Sequence, residues 1–257
     1  KSNTTGTQIT AIGANALNSF VSGTAQLTAV GYEALKSCTT AYNTAVGWQA
    51  GDAITTGQAN VMVGDGSLGA NQTGGSNVAV GHFALNNSTG DNNTGVGANA
   101  VRANTSGDSN TGVGMRALFS NTTANNNTAV GKDALFANTT GSANVAVGKS
   151  ALDANTTGAK NTAVGKDALF ANTTGEFNTA VGQGALDANT TANNNSAFGY
   201  FALGSNTTGT GNTALGQSAL TANTTANYNT AVGKDCLVSS TTGNQNTAVG
   251  YVALDAN

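Results

Sequence analysis

Residues 161–177 read NTAVGKDALFANTTGEF, and the ten letters KDALFANTTG inside this stretch, at 166–175, also stand at 132–141. A near copy, KSALDANTTG, lies between them at 149–158. The glycine that closes each NTAVG-type run falls at 13, 31, 47, 64, 81, 97, 114, 131, 148, 165, 182, 199, 216, 233 and 250, a spacing of 17 from residue 97 onward and 16 to 18 before it. The chain is therefore about fifteen copies of one unit, N-T-A-V-G-x-x-A-L-x-A-N-T-T-G-x-x, with residues 1–12 a partial copy.

A 17-residue period is too short for ankyrin, tetratricopeptide or propeller repeats, which need roughly 33 to 45 residues. Each unit holds a β-branched run ending in glycine, a short Ala-Leu step and an Asn-Thr-Thr-Gly turn, the makings of one coil of a β-solenoid. The Ala-Leu piece is too short to be a stable helix alone and reads as a second short strand or a tight bend. The expected fold is all-β: a parallel β-solenoid or β-roll of about fifteen 17-residue coils, with residues 1–257 a single repeat domain and a segment of a longer fibre. With ~4.8 Å per coil, fifteen coils predict a rod on the order of 70 Å.

Composition narrows the function. Only 8% of the 257 residues are charged, against about 25% in ordinary domains. Hydrophobic residues still reach 39%, so the chain has material to bury. A net charge of −3 without a basic run argues against nucleic acid as a partner. No stretch has the length of a transmembrane helix, which argues against membrane insertion. Cys38 and Cys236, about eleven or twelve coils apart in a solenoid and so on the order of 55 Å, lie beyond the ~7 Å Cα reach of a disulfide and are expected as free thiols.

Position within the unit predicts direction. The residue before the glycine is Val in twelve copies and Ile12, Phe198 or Leu215 in the others, and its bulk assigns it to the core. Two residues earlier, Thr162, Thr179, Val61, Val78 and Val145 share that strand face. The small residue between them then faces outward, either because another backbone approaches or because a β-roll is crowded there. Leu follows the glycine by four residues in thirteen copies, so Val and Leu make a thin core that needs stacking to survive.

The Asn of the turn recurs at Asn104, Asn121, Asn138, Asn155, Asn172, Asn189, Asn206 and Asn223, where it also matches the N-glycosylation pattern. Stacked sites ~4.8 Å apart leave no room for a glycan on each. Earlier copies place Phe20, Cys38 and Ile54 in the same column, which argues for an inward, hydrogen-bonded Asn ladder. A second Asn column, Asn43 through Asn246, gives way to Ile9 and Leu27 in the first copies and reads likewise.

No catalytic, cofactor or metal constellation emerges, and an enzyme is not expected. His82 lacks a recurrent carboxylate or Cys partner in its column, and Asp91 and Asp108 match neither an EF-hand nor the GGxGxD calcium repeat. The two positions after the glycine vary instead. Tyr32, Trp48, His82, Phe83, Tyr200, Phe201 and Tyr251 occur there and are the candidate recognition residues, suited to stacking on sugars, contacting a protein receptor or packing between chains.

The N-T-A-V-G-x-x-A unit, as in Asn161-Thr162-Ala163-Val164-Gly165 and Asn178-Thr179-Ala180-Val181-Gly182, resembles the N-S-x-A-I-G-x-x-S repeat of YadA-like head domains in trimeric autotransporter adhesins. It is similar also to NTAVG repeats of phage tail-fibre proteins. The coil here is longer than in the adhesin heads. The resemblance implies a left-handed β-roll, a parallel homotrimer, and attachment at a cell surface or virion through a cell-surface receptor or glycan. Two other functions stand beside that of an adhesive fibre segment. One is an extracellular filament polymerised head to tail; the other is an ice-binding solenoid, prompted by the Thr-Thr columns, whose adjacent threonines would point in different directions.

Overall fold

A computed structural model describes residues 7–21 and 24–255 of the chain. It is an all-β parallel solenoid of about fourteen coils with about 17 residues per turn, and no helix occurs among the described residues. Two compact units, residues 1–126 and 127–257, carry the coils.

The first unit contains β1 (Thr7–Ile12), β2 (Thr24–Val30), β3 (Thr44–Val46), β4 (Val61–Val63), β5 (Val78–Val80), β6 (Thr94–Val96) and β7 (Thr111–Val113). Each pairs in parallel with the next, with identical repeat positions opposed, as in Ile12↔Val30 and Val30↔Val46. The second unit contains β8 (Thr128–Val130), β9 (Val145–Val147), β10 (Thr162–Val164), β11 (Thr179–Val181), β12 (Ser196–Phe198), β13 (Thr213–Leu215), β14 (Thr230–Val232) and β15 (Thr247–Val249). Its register is equally strict, for example Thr162↔Thr179, Ala163↔Ala180 and Val164↔Val181.

Only three residues per coil form a strand from β3 onward, yet the ladder continues through the turns. Asp167 N–H donates to Lys149 O in the coil before (3.0 Å), whereas Leu169 N–H and Thr173 N–H donate to Ala185 O and Thr190 O in the coil after (3.0 and 2.8 Å). The Ala-Leu step is a bend. Residues two and four after the glycine adopt left-handed backbone, as at Asp167 (φ 56°) and Leu169 (φ 52°). A non-glycine residue there costs roughly 1–2 kcal/mol, but the Leu side chain is fully buried and gains about 2–3 kcal/mol. The anchoring glycine satisfies two constraints at once: Gly165 has φ +134°, and a Cβ there would stand 2.6 Å from the carbonyl group of Gly182.

The strand faces are the reverse of the sequence expectation. The middle residue points inward: Ala45, Ala129, Ala146, Ala163 and Ala180 have no exposed surface. The residues before and after it, including the Val preceding the glycine, point outward, with Val46 38%, Val130 37% and Leu215 48% exposed. The reason is room. A 17-residue coil closes around so narrow an interior that Leu from the bend and Asn from two columns nearly fill it, leaving space for a methyl on the strand.

Deviations within one coil confirm the limit. Where Gly51 replaces the usual Leu, the strand carries Met62 instead of Ala, and a Cβ on Gly51 would meet Met62 Sδ at 2.5 Å. Where Val101 replaces Leu, the facing strand position is Gly112, whose added Cβ would lie 2.5 Å from Val101 Cγ2. Both Asn columns are inward as expected. Asn172 Nδ2 donates to Asn155 Oδ1 (2.8 Å) and its own Oδ1 accepts from Asn189 Nδ2 (2.8 Å). Asn178 N–H donates to Asn161 Oδ1 (3.0 Å), while Asn178 Nδ2 reaches Ala192 O (2.8 Å). Phe20, Cys38 and Ile54 occupy the first column as buried apolar members. Both cysteines are buried free thiols, Cys236 sitting in the Ala position of the bend and Cys38 in the Asn column.

Candidate functional site

The reversed polarity gives each unit an outward β-face that the sequence reading placed in the core. In the first unit, β3 to β7 present Thr44 and Val46, Val61 and Val63, Val78 and Val80, Thr94 and Val96, and Thr111 and Val113. In the second, β8 to β15 present the same Thr/Val pattern, with Ser196, Phe198 and Leu215 as departures. None of these side chains is charged. Parallel pairing places each column in register from strand to strand, so the face is a regular array of methyl groups and hydroxyls.

The column directly after the anchoring glycine also projects outward, as expected. Tyr32, Trp48, Tyr200 and Tyr251 are exposed, as is His82. The second position differs from the expectation: its left-handed backbone turns the side chain along the wall. Phe83 and Phe201 are half-buried there, and Glu33 and Asp133 are buried. Pairing between columns follows from this. The Tyr200 and Phe201 rings meet edge-on at 4.7 Å between centroids and 76° between planes. His82 and Phe83 tilt at 44° with centroids 4.1 Å apart; within the first column, Lys234 lies over Tyr251 at 5.9 Å. The Tyr32 and Trp48 rings, from consecutive coils, are 15° from parallel with centroids 6.2 Å apart.

Around Tyr32 and Trp48 the polar side chains are tied down. Lys36 Nζ donates to Glu33 Oε1 at 2.9 Å, and Gln49 Nε2 donates to Glu33 Oε2 at 3.0 Å. The hydrogen bond from Lys36, followed by that from Gln49, holds the Glu33 carboxyl below the usual carboxylate range, and the same bond holds the Lys36 ammonium above its own. Asp52, partly buried beside them, moves the other way because desolvation disfavours its charge.

In the column of His82 a single, non-recurrent carboxylate stands one coil earlier: Asp65 places Oδ2 3.4 Å from His82 Nε2. Both are about half exposed. Asp91 and Asp108 serve the backbone: Asp91 Oδ1 accepts from Gly75 N–H (2.7 Å), and Asp108 Oδ1 accepts from Asp91 N–H (2.8 Å). Asp91 also borders a shallow polar groove of about 420 Å³ with Thr56, Gln58, Thr73, Ser76 and Asn92. Among the described residues no cluster of three His, Cys, Asp or Glu side chains is placed to hold a metal ion. No helix among them is long and apolar enough to cross a membrane.

The eight asparagines of the glycosylation pattern have no exposed surface, so folding closes them to a glycosyltransferase. Compared with known proteins, the chain matches no family model and no curated protein sequence.

Proposed function

We propose that this chain is a structural and adhesive fibre segment, a left-handed β-roll assembled in parallel with two further copies and working outside the cell, on a bacterial surface or a virion. The uncharged outward Thr/Val ladder carries this reading. An exposed aliphatic array of this regularity marks a surface meant for a partner, and another copy of the chain has the same coil period, so side chains of the two ladders stay in step along their length. Lateral assembly through this face leaves the changeable column after the glycine to contact a receptor, and repetition along a stiff support makes the contact multivalent.

The ladder also bears on the ice-binding alternative, moving it from the adjacent threonines of the turn to Thr44, Thr94, Thr111, Thr128, Thr162 and Thr179. On that face valines outnumber hydroxyls, and Phe198 and Leu215 break its flatness; these favour a protein partner. Light scattering on the purified chain tests the reading. The expected mass is three times 25.1 kDa. A monomer overturns lateral assembly, and open-ended polymers replace it with the filament alternative.

A further inference from the structure

We propose that Tyr32 and Trp48 form a subsite for a neutral, unbranched pyranose oligosaccharide, with two adjoining sugar rings seated against the two aromatic rings and Gln49 and Lys36 meeting hydroxyls at the margin. The assignment rests on the attachment reading above and names its ligand. Three observations carry it. The rings come from consecutive coils, lie within 15° of parallel at 6.2 Å between centroids, and are 44% and 50% exposed. The pair is stacked, with about half of each residue's surface open to solvent, and the apolar C–H face of a pyranose is a natural complement to a Tyr or Trp ring.

Next, the surrounding polar groups are preorganised. Glu33 is held by Lys36 and Gln49 and stands in the left-handed bend (φ 56°), so little side-chain freedom is lost when hydroxyls bind. Finally, the margin is not cationic: Lys36 is bridged to Glu33 at 2.9 Å, and the Asp52 carboxyl lies beside the two. A neutral ligand suits such a margin better than a polyanion. A protein partner would call for a dry, charge-depleted centre, which the Lys36–Glu33–Gln49 group beside the rings does not provide. The edge-on Tyr200–Phe201 pair offers no comparable platform.

Trp48 is the one tryptophan of the chain, so its fluorescence reports on this subsite. The 257-residue chain is titrated with cellohexaose, maltohexaose, mannohexaose and chitohexaose. The expected result is a saturable change in Trp48 emission with at least one of them at a dissociation constant of about 1 mM or tighter. Tyr32→Ala should weaken that binding at least ~10-fold, with an unchanged thermal midpoint, and Tyr228→Ala, at an exposed ring outside the column of Tyr32 and Trp48, should leave it as in the parent. Flat emission with all four sugars, or undiminished binding by a folded Tyr32→Ala variant, overturns the proposal. Emission that shifts on dilution without sugar also overturns it, by assigning the rings to a contact between copies. Scattering on the same samples keeps this outcome separate from the assembly question: an assembled chain that ignores sugars refutes the subsite alone.

Discussion

Asn71 and Asn172 occupy the same inward column and are equally buried, but their surroundings differ. Asn172 donates to Asn155 and Gly175 and accepts from Asn189. Asn71, between Ile54 and Ser88 in the column, finds no partner for either amide atom. An unpaired buried amide costs about 1–3 kcal/mol, whereas a paired one cannot be removed without orphaning its neighbours. Val at the two sites should therefore act with opposite sign: Asn71→Val gains about 1 kcal/mol and Asn172→Val loses about 3 kcal/mol, read as urea midpoints moving in opposite directions. Asp187 supplies a pH-dependent case. Its carboxyl is raised first by desolvation and then by the nearby Asp167 charge, with Lys166 opposing. An acid whose pKa is higher folded than unfolded holds more protons in the folded state across that interval, so stability falls as pH rises through it. Asp187→Asn should raise the thermal midpoint at pH 7, and the two proteins should converge below about pH 3; calorimetry at both pH values checks this.

A coil is the smallest element whose sequence makes sense, because each change within it is answered inside the same narrow interior. Gly51, Met62 and Ile54 together replace the Leu, Ala and Asn of the common unit, and the added Met bulk stands where the Leu is missing. Gly51→Leu alone should overpack the coil and cost about 1–3 kcal/mol. Gly51→Leu with Met62→Ala should recover most of that loss, and the coupling in a double-mutant cycle of urea melts measures the shared space. The bend is legible at this scale only in part. Gly-x-x-Ala-Leu announced a break between strands, but the left-handed backbone of Leu169 was hidden, since Leu does not favour it, whereas Asp, as at Asp167, tolerates that conformation; burial of Leu169 and the carbonyls of neighbouring coils impose it.

For the molecule as a whole, the proposed lateral assembly puts the ladders of Val and Thr at the contact between copies. A lysine in the outward column places charge in any apolar contact without touching the interior, because Val46 and Val130 already face solvent. Val46→Lys combined with Val130→Lys should reduce the mass in solution to that of one chain while leaving the far-ultraviolet circular dichroism unchanged. A full-mass assembly from the double variant would place the contact elsewhere.

The 17-residue spacing by itself determined the β-solenoid, the inward Asn ladders, the isolation of the two cysteines and the exposure of Tyr32, Trp48, Tyr200 and Tyr251. A repeat fixes which residues share a column, and a column shared by Asn and by Phe20, Cys38 and Ile54 has to face inward. Tertiary structure decided which strand face the interior takes. Alternation in Thr-Ala-Val is symmetrical to the eye, and bulk pointed Val inward, but the closed coil had room for a methyl and turned Ala in and Val out. It likewise decided the near-parallel setting of Tyr32 and Trp48 and the meeting of Asp65 with His82. Those contacts run between coils, and their geometry depends on how each side chain leaves a bend whose backbone only packing determines.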